Sequence, residues 1–207
     1  MNNILAFHKS VQGSNHIEWG RPCEDASGSY ANPEKQYYLA AVSDGHGADE
    51  CYRADKGSKI AVEIAIKDLQ ELAEKMTRTP EVEARFYQDM LSSPRYQQMT
   101  MRHLTDVIHA EWVESVRQDL QDHPPTEAEL VSLQEKKKTN YTVSDRPEQV
   151  YGCTLMAALW MPKCLLLIHQ GDGRCDVFYT DGTVDQPIPW DSRCVGTRTT
   201  SLCDDDV

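Results

Sequence analysis

The stretch from Tyr37 to Gly47 constrains the fold more than any other part of the chain. Residues 37–42 form an unbroken apolar run of strand length, as expected of a central strand buried on both faces. The run ends in Ser43-Asp44-Gly45-His46-Gly47, where two glycines force a tight turn and leave a carboxylate and an imidazole at the strand's end. A buried strand needs neighbours, and β-type patterns occur toward both ends of the sequence. Residues 4–11 read as a first strand, and the polar stretch 13–22 has room for a short one around residues 16–19. Residues 151–161, 164–169, 175–180 and 183–188 read as further strands, with Asp181-Gly182 a strong two-residue hairpin signal between the last two.

Between these strands the period becomes helical. Over residues 49–76, Ala54, Ile60 or Ala61, Ile64 or Ala65, Leu69, Leu72 and Met76 recur three or four apart. Thr79-Pro80 punctuates that helix. A second helical region follows Pro94, with Met101, Leu104, Ile108, Trp112, Val116 and Leu120 forming one stripe that reads as core packing. Pro124-Pro125 stops it, and Thr126 to Glu129 resembles a capping box that opens a third helix with a charged tail at 135–140. The expected class is α+β: mainly antiparallel sheets with helices packed on their faces. No repeat or low-complexity linker divides the 207 residues, so one domain is expected.

Charge and cysteine usage narrow the function classes. With 33 acidic and 21 basic side chains the net charge is −12, which weighs against nucleic-acid or anionic-membrane partners. The patch Lys136, Lys137 and Lys138 is too small to reverse that. No stretch approaches the roughly 20 apolar residues of a membrane span, and the first residues lack a secretory signal pattern. Seven cysteines, an odd number with no Cys-x-x-Cys pair, suit reduced thiols in a cytoplasmic protein.

Two acidic clusters carry the candidate chemistry. Glu24-Asp25 lies in Arg21-Pro22-Cys23-Glu24-Asp25-Ala26, and Asp44 follows Asp25 by 19 residues, an interval that suits two antiparallel strands joined by a loop. Carboxylates gathered at one sheet edge repel each other unless a cation neutralises them. Hard ions such as Mg²⁺ or Mn²⁺ take carboxylate, carbonyl and water oxygens. Gly45, lacking a side chain, can bring its carbonyl close to such an ion. His46 would stand beside it as a proton donor. Each piece alone has a simpler reading, since Asp-Gly after a strand is usually just a turn.

Together these residues resemble the metal-dependent serine/threonine protein phosphatases of type 2C, and most closely their bacterial branch. Glu24-Asp25-Ala26 is similar to the family's N-terminal Glu-Asp motif, and Val42-Ser43-Asp44-Gly45-His46-Gly47 to its Asp-Gly-His-Gly motif. Tyr151-Gly152-Cys153-Thr154 is similar to its Gly-Ser-Thr strand start, and Gln170-Gly171-Asp172-Gly173-Arg174 to its Gly-Asp-Ser-Arg hairpin. The resemblance implies a four-layer sandwich of two antiparallel sheets flanked by helices. It also implies a site with two Mg²⁺ or Mn²⁺ ions, in which Asp44 bridges the pair and the Gly45 carbonyl holds one of them. Glu24 and Asp25 would act mainly through water. His46 would protonate the departing serine or threonine oxygen of a phosphoprotein whose phosphate a kinase had added.

The chain departs from the family pattern in two places. The phosphate-binding arginine usually lies four residues before the motif glutamate, where this chain has Gly20. Arg21, three before, either reaches the phosphate or is a surface residue. Further metal-binding aspartates come, in the family, from strands beyond Val207, so the last strands of the sandwich are expected to be missing here. Asp204, Asp205 and Asp206 are possible substitutes. Two readings stay open: a phosphoserine/phosphothreonine phosphatase, and a catalytically incomplete pseudophosphatase that binds a phosphoprotein or another partner.

Overall fold

A computed structural model describes residues 4–131 and 146–204. Its centre is a four-stranded antiparallel sheet in the order β1-β2-β3-β4, formed by Ala26–Asn32, Tyr37–Ser43, Leu155–Met161 and Cys164–Gln170. A separate two-stranded antiparallel sheet pairs β5 (Val177–Phe178) with β6 (Val184–Asp185). The Asp181-Gly182 hairpin signal holds: Gly182 has φ 86°, and the Tyr179 amide donates to the Thr183 carbonyl at 2.9 Å. The chain is α+β, as its sequence pattern indicates.

The pleat sorts the four-stranded sheet into two unlike faces. Leu39, Ala41, Leu155, Ala157, Leu159, Leu166 and Ile168 point inward and are buried, with Leu39 opposite Leu159 and Leu159 opposite Leu166. Helix α2 (Ala54–Met76) lies against β1, β2 and β3 on this face, and α4 (Pro94–Asp122) packs behind it. Gly28 on β1 permits the close approach, since a Cβ there would sit 2.8 Å from Val62 Cγ1. On the opposite face Val42, Trp160 and Leu165 remain exposed, and the Tyr38 and Trp160 rings meet edge to face at 5.6 Å.

The helical stripes behave as their spacing predicts. Leu104, Ile108, Trp112 and Val116 are the buried residues of α4, and Trp112 Nε1 donates to the Gly57 carbonyl of α2 at 3.0 Å. At the predicted capping box, Glu129 Oε2 accepts from the Thr126 amide at 2.7 Å while the Glu129 amide donates to Thr126 Oγ1 at 3.2 Å. Residues 127–131 are helical; the tail at 135–140 lies outside the described residues.

Several local expectations need correction. Residues 4–11 form no strand. They are fixed by side chains, His8 Nδ1 to Ser29 Oγ at 2.9 Å and Ser10 Oγ to Ser27 Oγ at 2.8 Å, rather than by a main-chain ladder. The short strand expected around 16–19 is instead helix α1 (Ser14–Glu18). Helix α2 ends at Met76, and Thr79-Pro80 instead starts α3 (Pro80–Ser92), where Thr79 accepts from the Val82 amide at 3.3 Å and Pro80 occupies the first turn. Tyr151 belongs to a 3₁₀ turn, Pro147–Tyr151, and the strand after it starts at Leu155. The runs at 175–180 and 183–188 contract to the two residues each of β5 and β6.

Candidate active site

Strand register brings the two acidic motifs together. Ala26 pairs with Ser43, so Asp25 and Asp44 each leave the ladder at the same end of the sheet. The loop after β2 is then laced to both neighbours. The Gly45 amide donates to the Glu24 carbonyl at 3.1 Å, and the His46 amide to the Gly152 carbonyl at 2.9 Å. The Asp44 carbonyl accepts from the Thr154 amide at 2.8 Å, while the Asp44 amide donates to Thr154 Oγ1 at 3.0 Å. Ser58, from the start of α2, adds a bond to the Glu24 carbonyl at 2.6 Å. Only glycine fits at 45: a Cβ would lie 2.6 Å from the Glu24 carbonyl oxygen and 2.8 Å from that of Ala54.

Beside this loop opens a cavity of about 290 Å³ whose walls include Asp25, Asp44, Thr154, His169, Asp172 and Lys9. Partial desolvation, then the charge and hydrogen bond of Asp25, then the charges of Asp172 and Glu24, push the Asp44 carboxyl up to about 6. Four carboxylates therefore act on one another at the sheet's end. Glu24, Gly45, His46 and Arg21 are not among the cavity's walls. Glu24 is buried, and its Oε1 accepts from Arg21 Nη2 at 2.9 Å. Arg21 also reaches the Gly47 carbonyl at 3.4 Å, so the structure places it as a partner of the motif glutamate and the Asp-Gly-His-Gly loop.

His46 packs beside Gly152, where an added Cβ would lie 2.8 Å from its Cδ2. Desolvation lowers its pKa, opposed by the carboxylates of Asp204 and Asp172. Asp204 gets there because the preceding residues dock on the strand start: the Leu202 amide donates to the Cys153 carbonyl at 2.9 Å, and Asp204 Oδ2 accepts from the Ser201 amide at 2.8 Å. Asp205 and Asp206 lie outside the described residues. Asp172 is the participant to which the sequence reading gave no role. Its position depends on Gly171, with φ 117°, where a Cβ would come within 2.5 Å of the Thr154 side chain. The Gly-Asp-Gly turn after an apolar strand was the available signal.

The donor chemistry suits a hard divalent cation: Asp25, Asp172 and Glu24 gather carboxylate oxygens around Asp44, and their charges add to the desolvation that raises its pKa. Among the described residues, however, no group of three or more His, Cys, Asp or Glu side chains is arranged to hold a metal ion by itself. None of the seven cysteines forms a disulfide.

A family model described as protein phosphatase 2C matches residues 12–207, from the turn before α1 through both acidic motifs to the final residue. The chain belongs to the protein phosphatase 2C family. No individual curated protein matches it in a sequence comparison. A phosphatase-type function follows from membership, in a family that generally depends on Mg²⁺ or Mn²⁺ and acts on phosphoproteins. Among the described residues no helix is long and apolar enough to cross a membrane.

Proposed function

We propose that this protein is a Mg²⁺- or Mn²⁺-dependent phosphatase that hydrolyses phosphoserine and phosphothreonine in a phosphoprotein substrate, reversing a kinase. The observation that carries this reading is the elevated Asp44 carboxyl, set among Asp25, Asp172 and Glu24 at the wall of an open cavity. Asp44 and the Gly45 carbonyl would hold the ions, with Asp25 and Glu24 supporting them through water. Bound there, divalent ions make a water nucleophilic near neutral pH and offset charge on the phosphoryl oxygens.

The chain's own residues account for the other requirements. Arg21 compensates Glu24, so one motif acid is neutralised within the protein and the uncompensated charge concentrates at Asp25 and Asp44. His46 is the proton donor to the leaving oxygen, a role worth about 10²–10⁴-fold. Desolvation alone would leave its imidazole neutral. A phosphoryl dianion arriving beside it favours the protonated form, which times the donor to the bound substrate. The chain would form one domain working in the cytoplasm, a reducing compartment that suits seven cysteines with no disulfide among them.

The test is Mn²⁺-dependent phosphate release from a phosphothreonine peptide by the purified chain, with Asp44→Asn and His46→Ala in parallel. Asp44→Asn should abolish release, and His46→Ala should lower kcat by about 10²-fold or more. A folded wild-type chain that releases no phosphate would overturn the catalytic reading and leave a phosphoprotein-binding role.

A further inference from the structure

Phosphate monoesters are dianionic near neutral pH, and at a site lined with carboxylates a side-chain cation would hold one more tightly than divalent ions alone. Arg21 is the residue whose motif position suggests this duty, yet it faces Glu24 at 2.9 Å and lies outside the cavity's walls. Arg174, nearby in sequence to Asp172, has its guanidinium over the Trp190 ring at 4.5 Å. Among the residues that line the cavity there is one lysine and no arginine: Lys9.

The position of Lys9 follows from its neighbours. His8 bonds to Ser29 and Ser10 to Ser27, so the residues on either side are pinned to consecutive outward positions of β1. The backbone at residue 9 is thereby held against the sheet end that carries Asp25 and Asp44, while its side chain stays exposed. A lysine serving only to neutralise the acids would be bonded to one of them. No ion pair involving Lys9 forms among the described residues, so its ammonium group remains available to an incoming anion.

We infer that Lys9 binds the phosphoryl oxygens of the substrate, so that the segment before α1 supplies the anion subsite of the reaction centre. This rests on the phosphatase reading above for the identity of the anion. An ammonium contributes as a compact point charge with three donors, and a charge-assisted bond of this type changes affinity by about tenfold or more.

The experiment is calorimetric titration of the Mn²⁺-loaded full chain with inorganic phosphate, comparing wild type with Lys9→Ala, Lys9→Arg and Arg21→Ala. Lys9→Ala should weaken phosphate about tenfold and Lys9→Arg should restore most of it, with Mn²⁺ affinity equal in wild type and both Lys9 variants. With phosphothreonine peptide, Lys9→Ala should raise KM while kcat changes less than about twofold. Equal phosphate affinity in wild type and Lys9→Ala, or a loss confined to Arg21→Ala, would overturn the assignment. Turnover is read separately. A wild type without turnover whose phosphate affinity still depends on Lys9 sinks the catalytic reading and supports the subsite.

Discussion

At the scale of single residues, the sheet end gathers carboxylates that repel one another. Asp44 has an ordinary value of 3.8 and is pushed up to about 6 in the fold, by desolvation first and Asp25 second. A carboxyl raised in the folded state binds its proton more tightly there than in the unfolded chain. Its contribution to stability is therefore present below about pH 4 and is lost as the pH rises to about 6. Asp44→Asn removes the charge, so in chelator at pH 7.5 it should melt at a higher temperature than wild type, and the gap should close near pH 4. Scanning calorimetry across that range checks it, and coincident melts at pH 7.5 would mean the acids do not strain one another. These acids were legible in the sequence because each sits in a short motif at a strand end. Asp172 and Lys9 were not, because their approach depends on strand closure across more than a hundred residues and on side-chain tethers to β1.

At the scale of elements, close backbone contact joins α2, α4 and the turn that leads to the site. Gly57 lies under the Tyr151 carbonyl, and Trp112 of α4 bonds to Gly57's own carbonyl at 3.0 Å. Two effects oppose each other in Gly57→Ala. Helix propensity favours alanine by about 1 kcal/mol. A Cβ placed 1.9 Å from the Tyr151 carbonyl oxygen must instead move backbone, and overpacking of this kind costs typically about 1–3 kcal/mol, occasionally more. The second effect should prevail, leaving a net loss of about 1 kcal/mol in urea denaturation; an unchanged or higher midpoint would show that the turn yields freely. Helices α2 and α4 were legible because their apolar stripes run for many turns. Helix α3 was missed because Thr79-Pro80, read only as punctuation after α2, lies beyond the Thr77 C-cap of that helix and caps the next one. Residues 4–11 look like a strand, but their contacts with β1 pass through hydroxyl and imidazole groups instead of backbone amides.

At the scale of the whole molecule, the fold class was readable because a long buried strand and its antiparallel partners bracket a helical middle. The extent of the smaller sheet was not, since β-type residues run well past the Asp181-Gly182 turn on both sides while only two positions per strand pair. The same scale decides how the protein responds to ions. A net charge of −12 makes any added salt relieve general repulsion, whereas a cation held by the acid cluster acts at one place. The two separate at constant ionic strength. Replacing Na⁺ by Mn²⁺ at 100 times its dissociation constant should stabilise the fold by about 2.7 kcal/mol. For a chain of this length that raises the melting temperature by about 5–10 °C. Asp44→Asn, which changes the total charge by a single unit, should lose most of that rise while responding to Na⁺ as wild type does. Equal Mn²⁺ shifts in the two proteins would mean that the ion acts on the surface at large, and that the sheet end does not gather it.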